Sequence, residues 1–188
     1  MSTIATPAST IVPAGTWTVD PAHSKVGFAV RHMGIASVRG EFTQFEGTLE
    51  VGEDPAALRA HGTVEAASID TNEPQRDAHL RSADFFGADE NPTISFESTR
   101  IARGDGDLLT ITGNLTMHGV TREIVLRGEV QGAEVDPWGN ERVGLEVTGQ
   151  LSRGDFGMRF NQALGSGNML VSDRVSLALD ISAIKQAS

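Results

Sequence analysis

An all-β domain of antiparallel strands, folded as a sandwich or a closed barrel, is the fold class that three observations predict. Apolar residues recur at every second position in at least six short runs. Turn-forming residues separate those runs. The chain carries 21 glycines, many of them between the runs, and one stretch alone has a helical pattern.

The runs come in order. Val26, Phe28 and Val30 alternate in "SKVGFAVRH", and Phe42, Phe45, Leu49 and Val51 follow in "RGEFTQFEGTLEV". The phase breaks near Phe45, which predicts a bulge or bend. Pro55 to Arg59, after "GEDP", is expected as a helical turn. Ile94 and Phe96 alternate next, then Leu109, Ile111, Leu115 and Met117, with Gly113 in the same phase. Leu145, Val147 and Leu151 form a fifth run, and Val175, Leu177, Leu179 and Ile181 a sixth. "RGDGD" (Arg103 to Asp107) and "DPWGNE" (Asp136 to Glu141) read as hairpin tips.

The exception is "NEPQRDAHLRSADFFG". Asn72 is placed to cap a helix with Pro74 in its first turn, and Gly87 to stop it. A short helix near residues 73–84 is therefore expected, with Leu80 and Ala83 on one face and Phe85 or Phe86 near its end. Arg76 and Asp77 are adjacent and share no face, so each is expected to tie the helix to the sheet through its own partner.

Composition narrows the function. The 188 residues suit one domain with a substantial core, residues 15–188, after a flexible segment over 1–14. Cysteine is absent, which removes disulfides, thiolate metal sites and cysteine nucleophiles. A net charge of −10 is repelled by nucleic-acid phosphates and anionic lipid surfaces. No run reaches the ~20 apolar residues of a membrane span. The start has no basic stretch before an apolar one and does not read as a signal peptide, so a cytoplasmic location is expected.

Catalytic signatures are missing. The histidines, His23, His32, His61, His79 and His118, form no H-x-x-x-H or H-E-x-x-H pattern, so no metal ligands are assigned. Ser24 follows His23 without a G-x-S-x-G elbow. "GSGNML" (Gly165 to Leu170) departs from G-x-G-x-x-G and reads as a loop. No catalytic residue and no cofactor is expected. A closing sheet with an apolar face suits the binding of something apolar. In-phase glycines such as Gly27, Gly40, Gly113 and Gly149 mark either bends or places where a ligand comes close.

Six segments then carry a resemblance. They are "TWTVDPAHSKVGFAVRHMG", "VRGEFTQFEGTLEV", "SIDTNEPQRDAHLRSADFF", "NPTISFES", "GNLTMHGVTREIVL" and "SRGDFGM". As an ordered set over roughly Gly15 to Lys185 they strongly resemble the YceI-like family. The resemblance implies a lipocalin-like, eight-stranded antiparallel β-barrel with a short helix near one end. It implies a long polyisoprenoid or similar amphiphile inside the barrel, no enzyme activity, and often a homodimer. Many family members are exported to the periplasm; the start of this chain departs from that pattern.

Phe28, Val30, Met33, Phe42, Phe85, Phe86, Ile94, Phe96, Leu115, Met117, Phe156 and Met158 are the candidate channel lining. The alternative for each is ordinary core packing. His23, Ser24, Arg76, Asp77, His79 and His118 are candidates for the barrel mouth, either meeting a ligand head group or fixing strand and helix ends. His118 is read chiefly as the turnover after the strand ending at Met117. Two other functions stay open: a metal-assisted enzyme acting on an isoprenoid quinone or related lipid, and a stress-response barrel filled by its own side chains.

Overall fold

The computed structural model describes residues 12–54 and 56–187. Among them are eleven strands, all in one sheet. They are β1 (Gly15–Val19), β2 (Lys25–His32), β3 (Ala36–Phe42), β4 (Phe45–Val51), β5 (Leu58–Glu65), β6 (Ile69–Asp70), β7 (Thr93–Arg103), β8 (Leu108–Met117), β9 (Val120–Val135), β10 (Glu141–Ser152) and β11 (Val171–Lys185). One helix, α1 (Pro74–Arg81), joins β6 to β7.

Three of the barrel's staves are interrupted. β1 and β2 lie end to end along β11, with Trp17 opposite Lys185 and Phe28 opposite Leu177. β3 pairs with β2 and β6, while β4 pairs with β1 and β5. β1/β2, β3/β4 and β5/β6 therefore act as single broken strands. With β7 to β11 they make an eight-stranded antiparallel barrel in up-and-down order. Pairing of β1 and β2 with β11 closes it, so no long edge is left open.

Each break has a local cause. The phase change near Phe45 is the bend between β3 and β4, where Thr43 N and Thr43 Oγ1 both donate to Ser68 O. Between β1 and β2, Ser24 replaces the missing ladder bonds: its hydroxyl donates to Ser182 O and accepts from Ser182 N. At a register shift between Ser98 and Arg100 of β7, Ala60 N donates to the Ser98 hydroxyl at 2.9 Å. The Ser24 and Ser98 bonds are partly buried, so each supplies a backbone N–H with a partner that water would reach only in part.

The two ends differ. One carries the β7–β8 and β9–β10 hairpins, at the expected tips "RGDGD" and "DPWGNE". The other carries α1, the β8–β9 hairpin and the long β10–β11 connection. Buried cores lie toward each. Phe42, Ile94, Leu115, Met117, Phe156 and Met158 pack at the helix end, and Val12, Trp17, Val51, Val130 and Val143 at the hairpin end. Part of the expected flexible segment, residues 1–11, lies outside the described residues, as does Pro55.

Four sequence expectations need correction. Residues 58 and 59 belong to β5, not to a helical turn. The cap of α1 is Glu73, whose carboxylate accepts from Gln75 N and Arg76 N. Pro74 holds the residue before it extended (Glu73 φ −147°, ψ 107°), which is the cap conformation, while Asn72 sits at φ +64°. The helix stops at Arg81, short of Gly87, because Ser82 turns extended and its hydroxyl takes the His79 carbonyl. Arg76 and Asp77 meet a shared partner rather than separate ones. Arg76 donates to Thr71 Oγ1 and Thr71 O, each at 2.7 Å, and Asp77 accepts from Thr71 N at 2.9 Å and Thr71 Oγ1 at 2.5 Å.

Candidate functional site

Period-two alternation puts one face of every strand inside, and that interior is not filled. A cavity of about 330 Å3 runs through it, walled almost wholly by hydrocarbon. That volume is at the lower end of the usual range for small-molecule sites. Leu80, Phe85 and Phe86 bound it at the helix end, and Leu58, Leu109 and Val130 at the hairpin end.

Ten of the twelve apolar candidates line this space: Phe28, Val30, Phe42, Phe85, Phe86, Ile94, Phe96, Leu115, Met117 and Met158. Two do not. Met33 occupies the β2–β3 turn at φ +54°, with its N–H on Leu170 O, so its side chain leaves the strand phase. Phe156 is 1% exposed and is packed behind the lining in the turn Arg153–Phe156.

Two glycines are covered by neighbouring rings rather than open to a ligand. A Cβ at Gly40 would sit 2.5 Å from Phe28 Cζ, and one at Gly113 would sit 2.5 Å from both Phe96 Cζ and Glu97 O. The rings lie over the small residues and hold their rotamers there. Gly113→Ala should push the Phe96 ring aside and strain β7, lowering stability by about 1–3 kcal/mol. Thermal unfolding checks this, and an unchanged Tm would contradict the contact.

None of the six polar candidates belongs to the cavity lining. His23 and Ser24 sit at the β1–β2 break. His23 Nδ1 lies 2.7 Å from Asp20 Oδ2, and its side chain is largely exposed. Arg76, Asp77 and His79 ride on α1. His79 pairs with Asp84 at 2.9 Å and meets the rings of Phe85 and Phe160 edge-on, at 5.0 and 4.9 Å between centroids. It thus supports Phe85, which does face the cavity. His118 is the first residue of a two-residue hairpin with Gly119, both at positive φ (55° and 72°), as a type I′ turn demands. Its Nδ1–H donates to Phe156 O at 2.9 Å. A carbonyl only accepts, so Nδ1 carries the proton. The ring packs beside Gly87 and Gly157, tying three connections together.

Near the β9–β10 hairpin, Arg142 lies between Asp20 and Asp136, at 2.9 and 2.7 Å. The Arg142 guanidinium holds both carboxyls below the usual carboxylate range, with His23 adding to the effect on Asp20. The Ser152 hydroxyl, with Gly154 N, does the same for Asp173. A carboxyl depressed by folding adds stability above its unfolded pKa, near 4, and loses it as pH falls toward the folded value. The Tm should therefore be flat from neutrality to about pH 5 and fall steeply below pH 4. Arg142→Gln should weaken that slope; an equal slope in both proteins would contradict the assignment.

The cavity also contains residues that the sequence reading did not select. Val26, Ile111, Ile124, Leu126, Val147, Leu177 and Leu179 line it, as do Ala60 and Gly62 of β5. The alternating phase in β2, β8, β10 and β11 was the available signal for five of them. Arg153, inside the motif "SRGDFGM", is a buried charge in the wall. Among the described residues no three His, Asp or Glu side chains converge in the way a metal site requires, and no helix is long and apolar enough to cross a membrane.

Comparison with known proteins places this architecture. Residues 17–183 match the family model of the YceI-like domain. The chain is similar to Protein YceI of Shigella flexneri, 38% identical over 165 residues, which is 87% of this chain and 83% of that protein. Among solved structures it resembles the Campylobacter jejuni YCEI protein, with 29% identity and a TM-score of 0.72 over 89% of this chain and 96% of that one. A polyisoprenoid binding domain from Saccharophagus degradans shares the fold at 14% identity, with a TM-score of 0.69 over 90% of this chain and 98% of that one.

Proposed function

The chain belongs to the YceI-like family, and from that membership we propose that its barrel holds one long-chain polyisoprenoid or similar amphiphilic lipid, as a carrier, store or sequestering protein rather than an enzyme. The observation that carries the reading is the cavity: open interior volume, walled by hydrocarbon, running between the two ends of a closed sheet. A structural relative named for polyisoprenoid binding has the same fold, which supports it.

Energetics fit an apolar chain. At ~25 cal/mol per Å2, burying several hundred Å2 of prenyl surface contributes on the order of 10 kcal/mol before the costs of association. Phe rings give flat walls, and Met117 and Met158 adapt to a branched chain. A cytoplasmic place of action and a homodimer are part of this reading, and the mass of the native particle tests the second.

Thermal stabilisation tests binding directly. A ligand at 100 times its Kd stabilises by about 2.7 kcal/mol, or about 5 to 10 °C for a domain of this size. Added prenyl lipid should raise the Tm by that much. No shift with any prenyl compound would favour a barrel occupied by its own side chains.

A further inference from the structure

Arg153 is 95% buried, from its 5% exposure, yet it belongs to the wall of an apolar cavity. Its Nε donates to Ser172 O at 2.9 Å, Nη1 to Met158 O at 2.8 Å and Nη2 to Val171 O at 3.3 Å. The guanidinium also lies over the Phe85 ring, 5.8 Å from its centroid. An arginine has five N–H groups, so two have no protein acceptor among the described residues. No carboxylate lies within ion-pairing distance of it among those residues. Asp173 is the nearest acidic influence, but its oxygens accept from the Ser152 hydroxyl and from Gly154 N.

Three carbonyl dipoles orient the charge without neutralising it. Burial therefore works against the charged form and lowers the pKa of Arg153. Buried cations are ordinarily paired, because an unpaired one is costly. A hydrocarbon-walled cavity with one such charge at its helix end has the two chemistries of an amphiphile in the right places.

Resting on the lipid-binding reading, we propose that Arg153 is the head-group anchor of this cavity, and that the preferred ligand is a prenyl chain ending in an anionic oxygen group such as a phosphate. The head accepts from the two remaining N–H groups, beside Phe85 and Met158. The tail extends past Phe96 and Ile111 toward Leu109 and Val130.

The test compares three probes on the whole chain: geranylgeranyl monophosphate, geranylgeraniol and inorganic phosphate, each displacing a bound fluorescent lipid. The phosphate lipid should bind at least about tenfold tighter than the alcohol, the least that charge-assisted hydrogen bonds supply. Inorganic phosphate alone should displace nothing. Arg153→Met should erase the preference, so that the phosphate lipid binds no tighter than the alcohol, while Arg153→Lys should keep part of it.

Equal affinity for phosphate lipid and alcohol in the unmodified protein would overturn the anchor and leave the lipid cavity standing. That comparison needs no variant, so it decides even if Arg153→Met fails to fold. A preference that survives in Arg153→Met, or displacement by inorganic phosphate alone, would equally overturn it. Failure of both lipids to bind would count against the cavity reading itself.

Discussion

Phe96→Asp is expected to reduce prenyl-lipid uptake by about a hundredfold or more while leaving a folded barrel. Phe96 sits on β7, half-buried, with its ring over Gly113 and its edge in the cavity. A carboxylate there must either stay hydrated, which fills the channel with water, or be desolvated against the lipid, which costs several kcal/mol. Each 1.4 kcal/mol is a tenfold change in Kd, so the loss is large by either route. Ala60→Phe attacks the same space without charge. Ala60 faces the cavity from β5, and a ring in its place occupies volume that a ligand would use. Both variants should keep their far-ultraviolet circular dichroism and lose binding. Normal uptake by a folded Phe96→Asp protein would remove Phe96 from the binding wall.

Trp17→Ala should have the largest effect on stability, about 3–5 kcal/mol. Trp17 is 1% exposed and lies where the barrel closes, opposite Lys185 on one side and Leu49 on the other. Its indole N–H donates to Pro13 O at 3.0 Å, so the ring also fixes the chain entering β1. Its removal opens a cavity among Val12, Val51, Val130, Val143 and Ala183. The Tm should fall by roughly 10 °C, and Trp17→Phe should recover part of that. A fall of under about 2 °C would mean that closure depends on the backbone ladder alone.

The strands that the sequence revealed are those whose inward positions are large. β2, β8, β10 and β11 present Val, Ile, Leu, Phe or Met at alternate positions, and the period is plain. β5 was hidden because its inward positions are Leu58, Ala60, Gly62 and Val64, two of them too small to mark a face. β9 shows no clean run because Gly128 and Gly132 interrupt its phase. The helix was legible from Pro74 behind a capping residue, read as Asn72 and found at Glu73, rather than from amphipathicity, since Asp77 is its one buried residue.

The site divides in the same way. In-phase strand residues could be assigned to the interior, and the ring-bearing ones proved to face the cavity. Met33 could not, because a methionine at positive φ belongs to a turn that its residue type does not announce. Nor could the convergence of Arg76 and Asp77 on Thr71, which depends on how β6 leads into α1. Arg153 was within a quoted motif, but its burial follows from the return of the β10–β11 connection over the barrel end.

The central claim is that the interior is a lipid site and not merely an under-packed core. Native mass spectrometry of freshly purified protein, followed by organic extraction, tests it most directly. The account predicts a prenyl lipid at near one per chain, or stoichiometric loading when a prenyl phosphate is added to empty protein. Protein that carries no lipid and takes up none would contradict it.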